Sequence, residues 1–561
     1  MELLHLKDTI VKKALNDCKR AFIYAFIFSF FINIMMLAMP IYSLQVLDRV
    51  LSSFSVETLI VLSFIVIAIL IFMSALQIMR SFVFAQIGIW LEKKLQPLLI
   101  DKTIDNSVYN SSIGSQYVRD LNNIKSFIAN PALTMLFDAP WSIIYFAVIF
   151  LIHPVNGFIV TGGAAILFVM AYINEKMANE KLKKINEREI DFLNKVGNLT
   201  HNSESLIAMG MKEDIVNKMS KISDENADLS YGIKGISFLI GNLTKLIRMI
   251  IQIATMFAGA ILVINNKMSA GGIIATSIVA GKALAPFDAL VNIWGQLVNA
   301  KKSYGRITNA LESLNEEHQK TELPEPKGKV KVEKLTYKLP NGKQIIKGIN
   351  IDVKPGEVIA IIGPSGSGKT TFAKLLVGIL KPSSGRVAID GTKIADYNQY
   401  FLGKYIGYLP QHVEFINGTV RENIARMSPK IDDKQVINAA HLADSHELIA
   451  ELERGYNTIV ETGGKTLSAG QKQRIGLARC FYGNPKIMVL DEPNSNLDTK
   501  GEISLTNAIK NAKKQGITTF IISHRTRILN TVDKVLVVHG GQGKLFGPTK
   551  EVLAKLNESN N

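Results

Sequence analysis

A glycine-rich stretch, GPSGSGKT at 363–370, has the residue types that bind phosphate groups. It follows the apolar run VIAIIG at 358–363 and precedes TTFAKLLVGIL at 370–380, which predicts a strand, a loop and a helix in that order. Glycines let backbone N–H groups point at phosphate oxygens, and a helix N-terminus favours negative charge. We therefore expect a nucleotide's phosphates to contact Gly363, Pro364, Ser365, Gly366, Ser367, Gly368, Lys369, Thr370 and Thr371.

Two further apolar runs end in side chains that suit phosphate chemistry. KIMVLDEP at 486–493 predicts a strand that ends in Asp491, placed to hold Mg²⁺ together with the Thr370 hydroxyl, and Glu492, placed as general base for an attacking water. FIISHRT at 520–526 predicts a strand with His524 at its carboxyl edge, where contact with a γ-phosphate is expected.

The composition indicates two very different halves, one apolar up to about residue 300 and one typical of a soluble α/β domain beyond about residue 325. The net charge of +16 suits either a nucleic-acid binder or a membrane protein with basic cytoplasmic loops. The long apolar runs favour the second interpretation, so no nucleic-acid partner is expected. The two cysteines, Cys18 and Cys480, have no partner at metal-binding spacing.

Six apolar runs are candidates to cross a membrane, which takes about 20 residues per helix. They cover 21–47, 56–79, 140–152, 157–173, about 246–264 and about 273–299. The N-terminal segment and the long connections 80–136 and 174–245 are rich in Lys and Arg, which predicts a cytoplasmic location for them and for both termini. Helix-forming residues in both connections predict that the spanning helices continue into the cytoplasm.

The sixth run contains Lys282, Pro286 and Asp288. A charge is costly in lipid, so Lys282 faces a polar cavity or a partner, or else the span begins later and Lys282 lies near an interface. Both alternatives are open at this point, and Pro286 predicts a kink.

The second half resembles the ABC transporter ATPases. LSAGQ at 467–471 resembles their signature LSGGQ, Gln411 their Q-loop glutamine, and SNLD at 495–498 their D-loop. His524 resembles their switch histidine and Tyr337 the aromatic residue that stacks on adenine. Ala469 and Asn496 depart from the usual glycine and alanine, but no catalytic position is degenerate.

The resemblance implies how these residues work. Gln411 joins Thr370 and Asp491 at Mg²⁺, while Ser468, Ala469, Gly470 and Gln471 close over the ATP held by another copy of the domain. One such domain per chain implies a homodimer with two equivalent ATP sites.

The order of the two halves resembles ABC exporters, and the stretches 39–59, 137–154 and 209–215 resemble type I secretion permease/ATPases of the protease-exporting branch. This resemblance implies ATP-driven polypeptide export across the inner membrane by alternating access. It also implies a periplasmic adaptor, a TolC-type outer-membrane channel and a secreted polypeptide with a C-terminal signal, besides the surrounding lipids. A lipid or drug exporter of the same architecture is the alternative, and intact catalytic residues disfavour an ATP-gated channel or regulatory protein.

The expected fold is an α-helical membrane domain of six transmembrane helices followed by an α/β P-loop nucleotide-binding domain. The predicted segments are an N-terminal cytoplasmic segment, 1–20, a transmembrane domain with long cytoplasmic helical extensions, 21–320, a linker, 321–329, and the ATPase domain, 330–561.

Overall fold

The computed structural model describes residues 10–108, 116–312, 323–339, 341–461, 464, 466–523 and 525–560. The chain folds into two compact units, Met1–Asn315 and Glu316–Asn561. The predicted linker, 321–329, begins within the undescribed segment 313–322, and the predicted domain boundaries stay a prediction.

The first unit is built from helices. In chain order they are α1 (Ile10–Asp17), α2 (Lys19–Met35), α3 (Ala38–Gln45), a π-helical turn (Val46–Val50), α4 (Leu51–Ser53), α5 (Val56–Ser107), α6 (Gln116–Ile128), α7 (Pro131–Asp138), a 3₁₀ turn (Ala139–Trp141), α8 (Ser142–Ile152), α9 (Pro154–His201), α10 (Ser203–Ala208), α11 (Lys212–Ile264) and α12 (Ala270–Glu312). Within the described residues, six helical stretches are long and apolar enough to cross a membrane, which agrees with the six predicted runs. These stretches are Lys19–Ser53, Val56–Ser107, Leu133–Ile152, Pro154–Asn174, Phe238–Ile264 and Ala270–Leu290.

Three helices are much longer than a membrane crossing requires. α5, α9 and α11 contain 52, 48 and 53 residues, compared with the roughly 20 that span the hydrocarbon core. The predicted helical continuation of the spans is therefore confirmed, and the segments 80–107 and 174–201 are helical rather than loops.

The sixth span is part of α12, which packs against α11, α9, α6 and α8. The helix continues through Pro286. Arg248 of α11 lies 2.7 Å from the Asp288 carboxylate, an ion pair that offsets the cost of a charge in an apolar helix. Lys282 is exposed on the surface of the single chain, so its two predicted environments stay open.

A buried polar network links α2, α5 and the region of α7 and α8. Arg80 Nη1 donates to Asp138 Oδ1 and to Ser29 Oγ, both at 2.6 Å. Asn33 Nδ2 donates to the same Asp138 oxygen at 2.9 Å, and the Tyr145 hydroxyl donates to Asn33 Oδ1 at 2.7 Å. Hydrogen bonding among several partners allows these groups to be buried between apolar helices.

The second unit is an α/β domain. Its described strands are β1 (Val330–Lys338), β2 (Gln344–Val353), β3 (Val358–Ile362), β4 (Ser384–Ile389), β5 (Thr392–Lys393), β6 (Ile406–Leu409), β7 (Gly418–Thr419), β8 (Ile459–Val460), β9 (Ile487–Asp491), β10 (Thr518–Ile522), β11 (Lys534–His539) and β12 (Gln542–Pro548). Its described α-helices are α13 (Lys369–Leu376), α14 (Gln399–Gly403), α15 (Val420–Ile424), α16 (Asp433–Leu442), α17 (His446–Ala450), α18 (Ala469–Phe481), α19 (Thr499–Lys514), α20 (Thr526–Leu529) and α21 (Thr549–Asn560), with 3₁₀ turns at Ile394–Asp396 and Gly455–Asn457.

A six-stranded sheet in the order β12-β11-β3-β10-β9-β6 forms the centre of this unit. All of its neighbouring pairs are parallel except β11 with β12. Parallel neighbours present their carboxyl ends at one edge, so the loops after β3, β10 and β9 meet there. The predicted strands at 358–363, 486–493 and 520–526 are confirmed as β3, β9 and β10.

The helix after the glycine-rich loop is shorter than predicted. The sequence suggested helix through 380, but α13 ends at Leu376. Gly378 adopts φ 76°, and Ile379 N–H bonds to Lys374 O at 2.9 Å, a glycine-terminated helix end that satisfies the last carbonyls.

Candidate functional site

The glycine-rich loop forms a concave turn between β3 and α13. A Cβ at Gly363 would lie 2.0 Å from Val538 O, so only glycine fits at the end of β3. Gly366 and Gly368 have φ of 76° and 97°, a conformation that glycine adopts without strain. The Lys369 ammonium is buried and donates to Gly363 O at 3.0 Å and Pro364 O at 2.9 Å, while Ser367 Oγ is buried with no partner among the described residues.

Asp491 lies at the buried end of β9, facing the start of α13. Thr370 Oγ1 donates to Asp491 Oδ1 at 3.3 Å, and Asp491 Oδ2 is buried without a hydrogen-bond partner in the described part of the chain. Burial raises the pKa of Asp491, the neighbouring Glu492 charge adds to the rise, and the Thr370 hydrogen bond opposes it. A buried carboxylate oxygen without a partner, beside a hydroxyl, fits a hard divalent cation such as Mg²⁺.

Burial has the opposite effect on Lys369. It lowers the pKa of the ammonium, although the charges of Glu492 and Asp491 act to raise it. Within the described residues, the hydrogen bonds of this buried cation go to backbone carbonyl groups. Such a cation is suited to an anionic ligand, and phosphate is the one that this loop geometry favours.

Glu492 is held in an unusual backbone conformation. Its φ of 48° lies in the left-handed region, and its N–H donates to Ile522 O at 3.1 Å. Gln411 Nε2 donates to Glu492 Oε2 at 3.0 Å, so two predicted site residues that are 81 positions apart meet. Strained non-glycine residues of this kind concentrate at functional sites.

Gln473 also lies at this site, although none of the sequence motifs includes it. It is 3% exposed on α18, and its Nε2 lies 3.5 Å from Glu492 O, at the long limit of a hydrogen bond. Its position two residues after LSAGQ was the only available signal, because nothing in the sequence indicates which side of α18 faces β9.

LSAGQ forms the N-terminus of α18. Ser468 caps the helix: Gln471 N–H donates to Ser468 Oγ at 3.2 Å, and Ser468 N–H donates to Gln471 Oε1 at 2.9 Å. Ser468 and Ala469 are exposed. A Cβ at Gly470 would lie 3.2 Å from Asn496 O, so the signature stretch and the SNLD stretch are in close contact.

Tyr337 and His524 complete the predicted set. Tyr337 is half-buried on β1 and pairs with Ile346 of β2, whose side chain lies against Gly368. Tyr337 is thus one strand away from the glycine-rich loop. His524 lies outside the described residues, and β10, which precedes it, lies between β3 and β9.

Comparison with known proteins covers both units. The family model "ABC transporter" matches residues 346–495, and "ABC transporter transmembrane region" matches residues 22–281. The type I secretion system ATP-binding protein PrsD of Rhizobium meliloti is 35% identical, with 97% of this chain and 94% of that protein covered.

Two further relatives carry names that refer to toxin translocation. The leukotoxin translocation ATP-binding protein LktB of Mannheimia haemolytica and the toxin RTX-I translocation ATP-binding protein of Actinobacillus pleuropneumoniae are each 30% identical, over 96% of this chain and 77% of theirs.

The structure of a bacterial Atm1-family ABC exporter with ATP bound has the same fold, with a TM-score of 0.81, 21% identity and 96% of both chains covered. Together with the six apolar helices, these matches describe a multi-pass membrane protein that carries its own nucleotide-binding ATPase domain. The chain therefore belongs to the ABC transporter family, among the ATP-binding exporters of type I secretion systems.

Proposed function

We propose that this chain exports a polypeptide across the inner membrane as the ABC component of a type I secretion system. The observation that carries the proposal is the similarity to PrsD, which extends over 97% of the chain and so includes the membrane unit as well as the ATPase. The names of LktB and the RTX-I relative refer to toxin translocation, which favours a polypeptide substrate over a lipid or a drug.

The ATP site is proposed to work through the residues gathered at the edge of the central sheet. Tyr337 stacks on adenine, residues 363–371 bind the phosphates, and Lys369 neutralises the β- and γ-phosphates. Glu492, oriented by Gln411, accepts a proton from the attacking water, and His524 contacts the γ-phosphate. Thr370, Gln411 and Asp491 would hold Mg²⁺, which neutralises charge that develops on the phosphates.

The proposed active unit is a homodimer. The exposed N-terminus of α18, with Ser468, Ala469, Gly470 and Gln471, would cover ATP bound to the partner subunit. ATP binding and hydrolysis would switch the membrane units between inward-open and outward-open states, which is alternating access.

The proposed location is the inner membrane, with both termini and residues 330–561 in the cytoplasm. The basic N-terminus and basic long connections support this orientation. A periplasmic adaptor and a TolC-type outer-membrane channel would extend the path, so a substrate with a C-terminal signal leaves the cell in one step.

The test is ATP hydrolysis by the purified protein in lipid nanodiscs. Unfolded C-terminal fragments of candidate secreted proteins are titrated in, and lipids and drug-like cations serve as comparison ligands. The polypeptide alone is expected to change the rate with saturation. A response only to lipids or cations would leave the ATPase chemistry in place and replace polypeptide export by small-molecule export.

A further inference from the structure

An apolar groove runs along the surface of the membrane unit between α2 and α5. Its volume is about 590 Å³, and its walls include Ala21, Tyr24 and Phe28 of α2 and Met79, Phe82 and Trp90 of α5. Tyr24, Met79 and Phe82 are between 53% and 66% exposed, so no described part of the chain covers them. The groove therefore presents a large apolar surface that something else must cover.

The two ends of the groove differ in charge. Asp17, Cys18 and Trp90 lie at one end, where Lys94 pairs with Asp17 and its Nζ lies 4.6 Å from the centroid of the Trp90 ring. Phe28 and Met79 lie at the other end, within the apolar runs of α2 and α5.

The charged end is strongly basic. Within 12–20 and 90–94 the chain has six basic side chains and only two acidic ones, and one of these acids, Glu92, pairs with Lys125 at 2.6 Å. Lys19, Arg20, Lys93 and Lys94 are all exposed. The groove thus has an apolar body with an excess of positive charge at one end.

The length of the groove matches one leaflet of a bilayer. Met79 and Trp90 are about 16 Å apart along α5 at the rise of an α-helix, compared with about 15 Å for half of a hydrocarbon core of roughly 30 Å. Trp and Tyr side chains favour the membrane–water interface, which agrees with the position of Trp90 beside the basic residues.

We propose that this groove is a binding site for one anionic phospholipid. An acyl chain occupies the apolar body between α2 and α5, and the phosphate lies at the basic end near Arg20, Lys93 and Lys94. A polypeptide segment fits less well, because its backbone N–H and C=O groups would find few partners along these apolar walls. Under the proposed orientation, the lipid belongs to the cytoplasmic leaflet. This placement puts the cytoplasmic boundary of the α5 span near Trp90 rather than at residue 79, where the apolar run 56–79 ends.

The test uses Trp90 as a local probe. The chain has three tryptophans, so Trp141→Phe with Trp294→Phe leaves Trp90 as the only one. The full-length protein is placed in phosphatidylcholine bilayers that contain a minor fraction of either brominated phosphatidylglycerol or brominated phosphatidylcholine. Bromine quenches tryptophan fluorescence at short range, so the two titrations give the relative binding constant at the groove.

Phosphatidylglycerol is expected to bind at least about fivefold more tightly, the factor that one basic residue contributes at an anionic lipid surface. Lys93→Gln with Lys94→Gln should bring the ratio of the two lipid binding constants close to one. Arg20→Gln should lower it while leaving the Lys94 pair with Asp17 intact. Lys267→Gln, which removes an exposed cation from the connection between α11 and α12, is the matched control and should change nothing.

Three results would overturn the proposal. Equal quenching by the two brominated lipids would mean that the groove does not distinguish an anionic lipid from a zwitterionic one. No quenching by either lipid would mean that protein covers the groove, either a second copy or residues 1–9. A preference for phosphatidylglycerol that survives both sets of substitutions would place the headgroup elsewhere. ATP hydrolysis at the parent rate verifies that each variant is folded.

Discussion

Two adjacent carboxylates, Asp491 and Glu492, have different environments and so suit different tasks. Asp491 is fully buried at the end of β9, beside the Thr370 hydroxyl. Glu492 turns out of the strand with a left-handed φ and accepts a hydrogen bond from Gln411. The backbone turn between them separates the proposed metal ligand from the proposed base.

Glu492→Gln should lower ATP hydrolysis by a factor of about 10² to 10⁴, the usual contribution of a general base. The amide has nearly the shape of the carboxylate but is not basic, so ATP binding should persist and a closed dimer should accumulate. Turnover measured alongside nucleotide binding checks this. Glu453→Gln, at an exposed glutamate of the same unit, is the control, and near-normal turnover by Glu492→Gln would exclude Glu492 as the base.

Packing of α2 and α5 against the α7–α8 region depends on more than apolar contact. Arg80 is 6% exposed and forms an ion pair with Asp138, which also accepts from Asn33. Apolar side chains gain little by leaving lipid for a helix interface, so hydrogen bonds supply specificity there. We infer that this hydrogen-bond network fixes the relative positions of these helices.

Asp138→Leu should lower the free energy of unfolding by about 3–5 kcal/mol, because it leaves the Arg80 cation buried without its partner. Adding Arg80→Met to the same protein should recover most of this loss, because two apolar side chains leave no buried charge without a partner. Thermal or denaturant unfolding in detergent measures both. Lys195→Ala, which breaks the exposed pair of Lys195 with Asp191, should change stability by about 0.5 kcal/mol or less. A double variant no more stable than Asp138→Leu alone would contradict the interpretation.

The sequence contains one P-loop and one signature stretch per chain, and Ser468 and Ala469 of the signature are exposed at the N-terminus of α18. Two such chains, related by a two-fold axis, would form two equivalent sites, each with a loop from one subunit and a helix N-terminus from the other. Each protomer then contributes to both sites. Gln473 lies on the signature helix, which would cover the ATP of the partner subunit. Its side chain reaches the backbone of Glu492, which would act on the ATP bound by its own protomer.

A disulfide tests this arrangement. Ser365 and Ser468 are both exposed, and the two native cysteines are buried, so background cross-linking should be low. With Ser365→Cys and Ser468→Cys on one chain, mild oxidation in the closed state should give a covalent dimer, and either single change should give little. The product is read on a non-reducing gel. Oxidation that yields only cross-linked monomer would contradict a signature that acts across subunits.

The sequence alone determined the parts whose residues are adjacent in the chain. The glycine-rich loop, the DE pair after β9, LSAGQ and the six apolar runs are each contiguous, so composition and spacing were sufficient to predict them. The membrane-then-ATPase order and the fold class followed from the same local signals. The end of α13 at Leu376, two residues before Gly378, was not predicted, although glycine frequently follows a helix end.

Which distant residues meet depends on how the helices and strands pack. Gln411 reaches Glu492 because β6 and β9 are neighbours in the sheet. Gln473 reaches the backbone of Glu492 because α18 packs on β6, the strand beside β9. The partners of Arg80 lie 51 and 58 positions away along the chain, and the groove between α2 and α5 has walls from two separate helices. The physical reason is that burial, ion pairing and cavities depend on how helices and strands pack, whereas a local motif depends only on chain order.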